Sequence, residues 1–238
     1  MLQIDLAILK EIPQLQVNAE LRIESLAPLS MVSELPGSFY KTMKNPDKKM
    51  ICGLIENILG WHIDLKDRKM IKEDMKKLHK KEKIKNIDYV KGSTYIPLLM
   101  DYFDIIDNIK INFSEVNFFD DYWSRLYRRA DAVVHAKGTE NIDYRLIPLK
   151  WKLKRNEKKL QEVDNKALED FFKENIGKFP MFYTTPTIRE YIDLNGTYIL
   201  PLSIDYRLYE MLDRRILENN IGYLGNSEGW VDLKIIKK

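Results

Sequence analysis

With 238 residues and 45% hydrophobic content the chain can fill the core of one large domain, and its single cysteine, Cys52, excludes an internal disulfide. Three scattered histidines lack zinc-ligand spacing, no apolar run approaches the roughly 18 residues of a membrane span, and the opening MLQIDLAILKEIPQ lacks the basic start, apolar block and cleavage site of a secretion signal. The expectation is a cytoplasmic protein without metal, cofactor or membrane, in which, at a formal net charge of +3, any site for a polyanion is local.

The first element, AELRIESLA (19–27), places Leu21, Ile23 and Ser25 on one face and Arg22, Glu24 and Leu26 on the other, the alternation of a strand with one buried face. A turn-rich polar stretch follows Pro28. In KMICGLIENILGWHI, Met50, Ile51, Leu54, Ile55, Ile58 and Leu59 recur at helical spacing, with Gly60 placed to stop the helix, His62 to cap it and Gly53 to let it press on a sheet. Cys52 inside this helix reads as a small buried hydrophobe. The basic run 65–85 is interrupted by Asp67, Glu73, Asp74 and Glu82, which fits a solvated helix with i,i+4 ion pairs better than a nucleic-acid contact. His79 within it is expected in solvent.

The apolar runs YIPLLMDYF and IIDNIKINF have no decisive period and stay unassigned. Further on, Leu149, Trp151 and Leu153 alternate with Lys150, Lys152 and Lys154, a strand with an apolar and a basic face. Before it, Arg125, Arg128, Arg129, His135 and Lys137 surround the turn signal KGTEN, so the reading is a long basic hairpin arm. Tyr122, Trp123, Tyr127 and Tyr144 interleave with these arginines and Arg145. Proteins that read RNA combine cations on phosphate with aromatic faces that stack unpaired bases, each worth about 1–3 kcal/mol, but aromatics that pack a hairpin onto its body give the same pattern. The residues leave these two readings equally open.

NKALEDFFKENIG (165–177) carries Ala167, Leu168, Phe171, Phe172 and Ile176 on one helical face. A link, FPMFYTTPTIREYI, then leads to the strand-like NGTYILPLSI and to a third helix in which Leu208, Met211, Leu212 and Leu217 are expected inward. The chain closes on IGYLGNSEGWVDLKI (221–235). Its glycines do not form a nucleotide-triphosphate loop, and a strand pattern follows instead of a helix, so the orphan N–H groups that hold phosphate at a helix start are missing. A tight loop remains, a plain turn or one whose backbone amides meet an RNA sugar or phosphate. Asp120 and Asp121 have no partner histidines at ligand spacing and read as surface charge. With no repeat or linker composition, the chain reads as one α+β domain over 1–238.

YLGNSEGWVDLKI (223–235) resembles the C-terminal glycine-loop signature of the Cas-five family, the CRISPR-associated RAMP subunit of type I Cascade complexes. TPTIREYIDLNGTYILPLSID (185–205) is similar to that family's proline-threonine-x-arginine-glutamate-tyrosine segment with its glycine turn and strand, and KKMICGLIENILGW (48–61) to its small-residue helix. Residues 62–180 carry little of the resemblance. It implies a ferredoxin-like, RRM-like RAMP domain with an inserted thumb β-hairpin, here around 120–150, that grips the 5′ handle of CRISPR RNA (crRNA). The implied partners are a Cas-seven family backbone subunit, the Cascade large subunit and, through the complex, target DNA.

By this resemblance Arg189 and Tyr191 fall on the arginine-glutamate-tyrosine segment, and Gly225, Asn226 and Ser227 on the glycine loop. Arg125, Arg128 and Arg129 would belong to the thumb. Asn226 stands where many relatives carry a basic residue; an amide can still hydrogen-bond phosphate, base or 2′-hydroxyl. The main expectation is a non-catalytic subunit that holds the handle and caps the backbone subunits in antiviral defence. The enzyme alternative is a metal-independent endoribonuclease with His135, Lys137 and Tyr144 as acid/base and stabilising groups. A third class is an assembly protein without RNA contact.

Overall fold

The computed structural model describes residues 5–33, 39–81, 95–123, 126–128, 170, 174, 181–183 and 187–238. In chain order these form a 3-10 turn (Ala7–Lys10), β1 (Leu15–Ser25), β2 (Phe39–Tyr40), α1 (Lys48–Ile58), α2 (Leu65–Lys81), β3 (Phe103–Ile105) and β4 (Lys110–Trp123). They continue with β5 (Leu126–Arg128), β6 (Met181–Tyr183), β7 (Thr187–Asp205), α3 (Tyr206–Glu218), β8 (Ile221–Tyr223) and β9 (Trp230–Lys237). By its internal contacts the chain divides into two compact units, Met1–Asp121 with Ile188–Lys238, and Tyr122–Thr187.

The first unit is organised by β1, whose Val17, Ala19, Leu21 and Ile23 alternate with polar residues and are all buried. β1 runs antiparallel to β7 on one side and to β9 on the other, with Leu21 opposite Leu200 and Ile235. β3 pairs antiparallel with β7, and β8 flanks β9. The order β9-β1-β7-β3, with α1 after β1 and α3 between β7 and β9, is the β-α-β-β-α-β arrangement of ferredoxin-like folds. The expected α+β, RAMP-like fold is thus present. β2, parallel to β7, and β4 add to the same sheet.

α1 starts at Asp47, whose Oδ1 accepts the Met50 N–H at 2.7 Å, and its end leads into Gly60 at φ +74°. Ile51, Leu54, Ile55 and Ile58 face the core, and Cys52 is fully buried beside them, its thiol pushed up chiefly by burial. The glycine that admits α1 to the sheet is not Gly53. A Cβ at Gly53 would meet the Tyr95 ring at an ordinary 3.5 Å, whereas one at Gly222 of β8 would lie 2.8 Å from Leu54 and 3.0 Å from Ile58. The close approach is made by the strand.

Helix α2 forms where the basic run predicts it but is not fully solvated. Arg68, Lys72, Met75 and His79 are buried at spacings of four, three and four, so one face turns inward. Arg68 pairs with Glu56 of α1 and donates to the carbonyls of Trp61 (2.8 Å), Ile63 (3.1 Å) and Ile96 (3.1 Å). Glu56 also accepts the N–H groups of Leu98 (2.7 Å) and Leu99 (3.2 Å). A buried carboxylate must be paired and hydrogen-bonded, and this one ties α1, α2 and the 96–99 segment together. His79, expected in solvent, is buried 3.7 Å from Asp101. Among the described residues, the α2 pairs Lys76–Glu73 and Lys77–Asp74 are spaced i,i+3.

Three other expectations change. β7 begins at Thr187, so TIREYI is part of a 19-residue strand and not a link. The unassigned runs supply the buried Leu98, Leu99, Met100, Tyr102 and Phe103 and strands β3 and β4. Leu217 is 83% exposed, because nine residues past the buried Leu208 is about two and a half helical turns, on the opposite face. In the second unit β5 pairs antiparallel with β6, Arg128 opposite Met181. The basic strand expected at 149–154 lies outside the described residues, as does the helix expected at 165–177 apart from Asp170 and Glu174, which are helical. Among the described residues no helix is long and apolar enough to cross a membrane.

Candidate functional site

The loop between β8 and β9 is closed on itself. Leu224 N–H donates to the Gly229 carbonyl (2.9 Å), Asn226 N–H to Leu224 (3.0 Å) and Gly229 N–H to Asn226 (3.3 Å). Gly225 has φ +81°, and a Cβ there would sit 2.5 Å from the Ser30 carbonyl oxygen; one at Gly229 would sit 2.5 Å from the Leu224 carbonyl oxygen and 2.9 Å from a Leu29 methyl. The glycines therefore let the loop lie directly on residues 29–31 of its own chain. Gly225, Ser227 and Glu228 remain exposed above that contact.

Residues 29–31 in turn rest on β7. Leu29 and Ile192 exchange both backbone hydrogen bonds at 2.8 Å, and the Ser30 hydroxyl donates to the Glu190 carbonyl at 3.0 Å. The Glu190 carboxylate accepts the Thr42 N–H at 3.0 Å, while the Thr42 hydroxyl accepts the Met31 N–H at 2.9 Å. This frame fixes the strand segment Arg189–Tyr191 relative to the loop.

With period two, Arg189 and Tyr191 share one side of β7 and Glu190 points to the other. The Arg189 guanidinium lies over the Tyr40 ring, 5.3 Å from its centroid, and Tyr191 stacks on Phe119 at 5.5 Å with the ring planes 14° apart. The Tyr191 hydroxyl donates to Glu228 of the loop at 3.4 Å, and the Asn226 amide donates to the same oxygen at 3.4 Å. Burial, reinforced by the Glu228 carboxylate, pushes the Tyr191 phenol up, which keeps it protonated as a donor. Among the described residues the Asn226 Oδ1 is enclosed without a hydrogen-bond partner. Phe119 is 42% exposed, so the ring stacked on Tyr191 reaches solvent.

Two segments far apart in sequence, Arg189-Glu190-Tyr191 and Gly225 to Gly229, thus form one surface through Tyr191 and Glu228. A family model described as CRISPR-associated protein Cas5p matches residues 4–235. The chain belongs to the Cas5p family. Compared with curated proteins, it matches none. The family match runs through residues 62–180, where the sequence motifs carried little of the likeness.

In this Cas5p-family chain the surface brings together Arg189, Tyr191, Gly225, Asn226 and Ser227 from the sequence-based expectation. Arg128 lies on β5 in the second unit. Arg125, Arg129, His135, Lys137 and Tyr144 lie outside the described residues. The sequence reading gave no role to Glu228, Tyr40 or Phe119. Glu228 stands inside the quoted loop and was readable as a partner, whereas Phe119 stands in an unassigned run and Tyr40 in a turn-rich stretch. Chemically the surface offers one cation set over an aromatic ring, a stacked aromatic pair and an exposed tight backbone.

Proposed function

We propose that this Cas5p-family protein is the non-catalytic RNA-binding subunit of a type I Cascade complex, holding the 5′ handle of crRNA and capping one end of the Cas-seven family backbone subunits. The observation that carries this reading is the joining of Arg189 and Tyr191 on β7 to the glycine loop through the Tyr191–Glu228 hydrogen bond. A guanidinium for phosphate, an open aromatic pair for an unpaired base and a loop with an exposed backbone are the elements with which proteins hold single-stranded RNA. The unit Tyr122–Thr187 is the thumb in this reading, with Arg125, Arg128 and Arg129 as further phosphate contacts. The domain organisation is then one RAMP domain over 1–238 carrying that insertion.

The net charge of +3 favours RNA held jointly with the Cas-seven family and large subunits, because few phosphate contacts give weak, salt-sensitive binding on their own. Target DNA is met through the assembled complex in the cytoplasm, its sequence read by guide pairing. Purification of the tagged protein from a reconstituted operon tests the reading. Uniform short RNAs sharing one 5′ end are expected, and their loss from an Arg189→Ala, Tyr191→Ala variant that still joins the complex. A verified complex without such RNA overturns it. Chelator-resistant cleavage of precursor RNA by the pure protein would transfer the assignment to the endoribonuclease reading.

A further inference from the structure

We infer that Glu228 is a phosphate stand-in: in the RNA-free protein its carboxylate holds the Tyr191 hydroxyl and the Asn226 amide, and a phosphate of the bound RNA takes its place. This rests on the RNA-binding reading above and adds to it a residue that works against binding and must move for it. A surface for a polyanion should be free of negative charge, yet Glu228 sets an exposed carboxylate between the glycine loop and β7, 3.4 Å from each donor. Both donors are neutral, so these bonds leave its charge in place.

Three observations separate a stand-in from a brace. The loop does not need this side chain: the backbone bonds of Leu224, Asn226 and Gly229 close it, and Gly225 and Gly229 seat it on residues 29–31, which Leu29 and Ser30 tie to β7. The two bonds are also easy to exchange. At 3.4 Å both exceed the roughly 2.7–3.2 Å of strong hydrogen bonds, and an exposed carboxylate that lets go of them returns to water. Finally, the acceptor matches in kind. Carboxylate and phosphate oxygens are both anionic and take charge-assisted bonds from the same donors. The Arg189 guanidinium lies within electrostatic reach of the same hydroxyl, pulling the Tyr191 phenol down where burial, Glu228 and Asp121 push it up. A phosphate oxygen in the place of the Glu228 carboxylate thus meets a hydroxyl, an amide and a nearby cation.

The test titrates handle RNA onto the reconstituted complex. Glu228→Gln removes the charge and keeps an acceptor; it is expected to bind RNA about 2- to 5-fold tighter at low salt, the size of one exposed charge pair, with the gain shrinking as salt is added. Glu228→Ala should bind at least as tightly as wild type, with an unchanged thermal melt. The decisive comparison is Tyr191→Phe in two backgrounds. With Glu228 present, the lost hydroxyl removes one bond before RNA binds and one after, so affinity stays within a few-fold. With Glu228→Ala it removes only the bond to RNA, and affinity should fall by about 10-fold. No gain in Glu228→Gln, weaker binding in Glu228→Ala, or an equal Tyr191→Phe effect in both backgrounds makes Glu228 a brace of the loop and overturns the stand-in, leaving the RNA-binding reading intact. A verified complex that holds no RNA overturns both.

Discussion

Arg68 and Glu56 form an ion pair from which solvent is almost excluded, their side chains being 8% and 1% exposed. Each is also hydrogen-bonded to backbone from a different segment, Arg68 to Trp61, Ile63 and Ile96, and Glu56 to Leu98 and Leu99. Removing one partner leaves an uncompensated buried charge. Arg68→Met is therefore expected to destabilise the protein by about 3–5 kcal/mol, measured as a shift in the urea unfolding midpoint. Replacing both residues by Met should not restore wild-type stability, because the Leu98 and Leu99 amides lose their acceptor.

The glycines divide into those the backbone needs and those it does not. Gly225→Ala places a side chain at φ +81° and 2.5 Å from the Ser30 carbonyl oxygen, and should cost more than about 1 kcal/mol. Gly53→Ala, inside α1 and 3.5 Å from Tyr95, should stabilise by about 0.5–1 kcal/mol. Thermal melts that move in opposite directions for the two variants are the expected outcome; a fall for both would contradict it.

Alkaline pH should loosen the fold through its buried phenols. Burial pushes Tyr95, Tyr102 and Tyr198 up, while the same residues ionise near about pH 10 in the unfolded chain. Tyr102 donates to the Ile8 and Glu11 carbonyls and Tyr198 to Lys44, bonds that need the protonated form. Their contribution is fully present below about pH 10 and is lost as the pH rises further, since the unfolded state then releases protons that the folded state retains. Unfolding midpoints followed from about pH 8 to about pH 11 should stay level and then fall, less steeply in Tyr102→Phe.

At the proposed RNA-binding surface the ring of Tyr191 and its hydroxyl should separate. Tyr191→Phe keeps the stack on Phe119 and loses only the 3.4 Å bond to Glu228, so handle RNA should bind within a few-fold of wild type. Tyr191→Ala removes the stacking face and should weaken binding by about 5- to 150-fold in filter-binding titrations of the complex. Equal losses in the two variants would assign the effect to the loop's position instead of to stacking.

β1, α1 and α3 were legible because their buried residues are apolar and keep period: Val17 to Ile23 every second position, Ile51 to Ile58 and Leu208 to Leu212 at helical spacing. The inward face of α2 was not. It keeps helical period too, but three of its four residues are Arg68, Lys72 and His79, types that composition assigns to solvent. Leu217 misled for the converse reason, a leucine one half-turn off its face. The glycine loop and Arg189–Tyr191 were readable separately as motifs. Their meeting depends on the register of β7 against residues 29–31, a long-range pairing that no local pattern encodes.

β1 lies between two strands that reach it very late in the chain, Leu15 meeting Asp205 and Ser25 meeting Val231. At translation rates of roughly 5–20 residues per second, the central strand waits roughly 10–40 s for both neighbours. During that interval the row Val17, Ala19, Leu21 and Ile23, later the middle of the sheet, is an uncovered apolar ribbon with unpaired edges on both sides. The central strand of this sheet therefore gains its second neighbour only once β9 has been made.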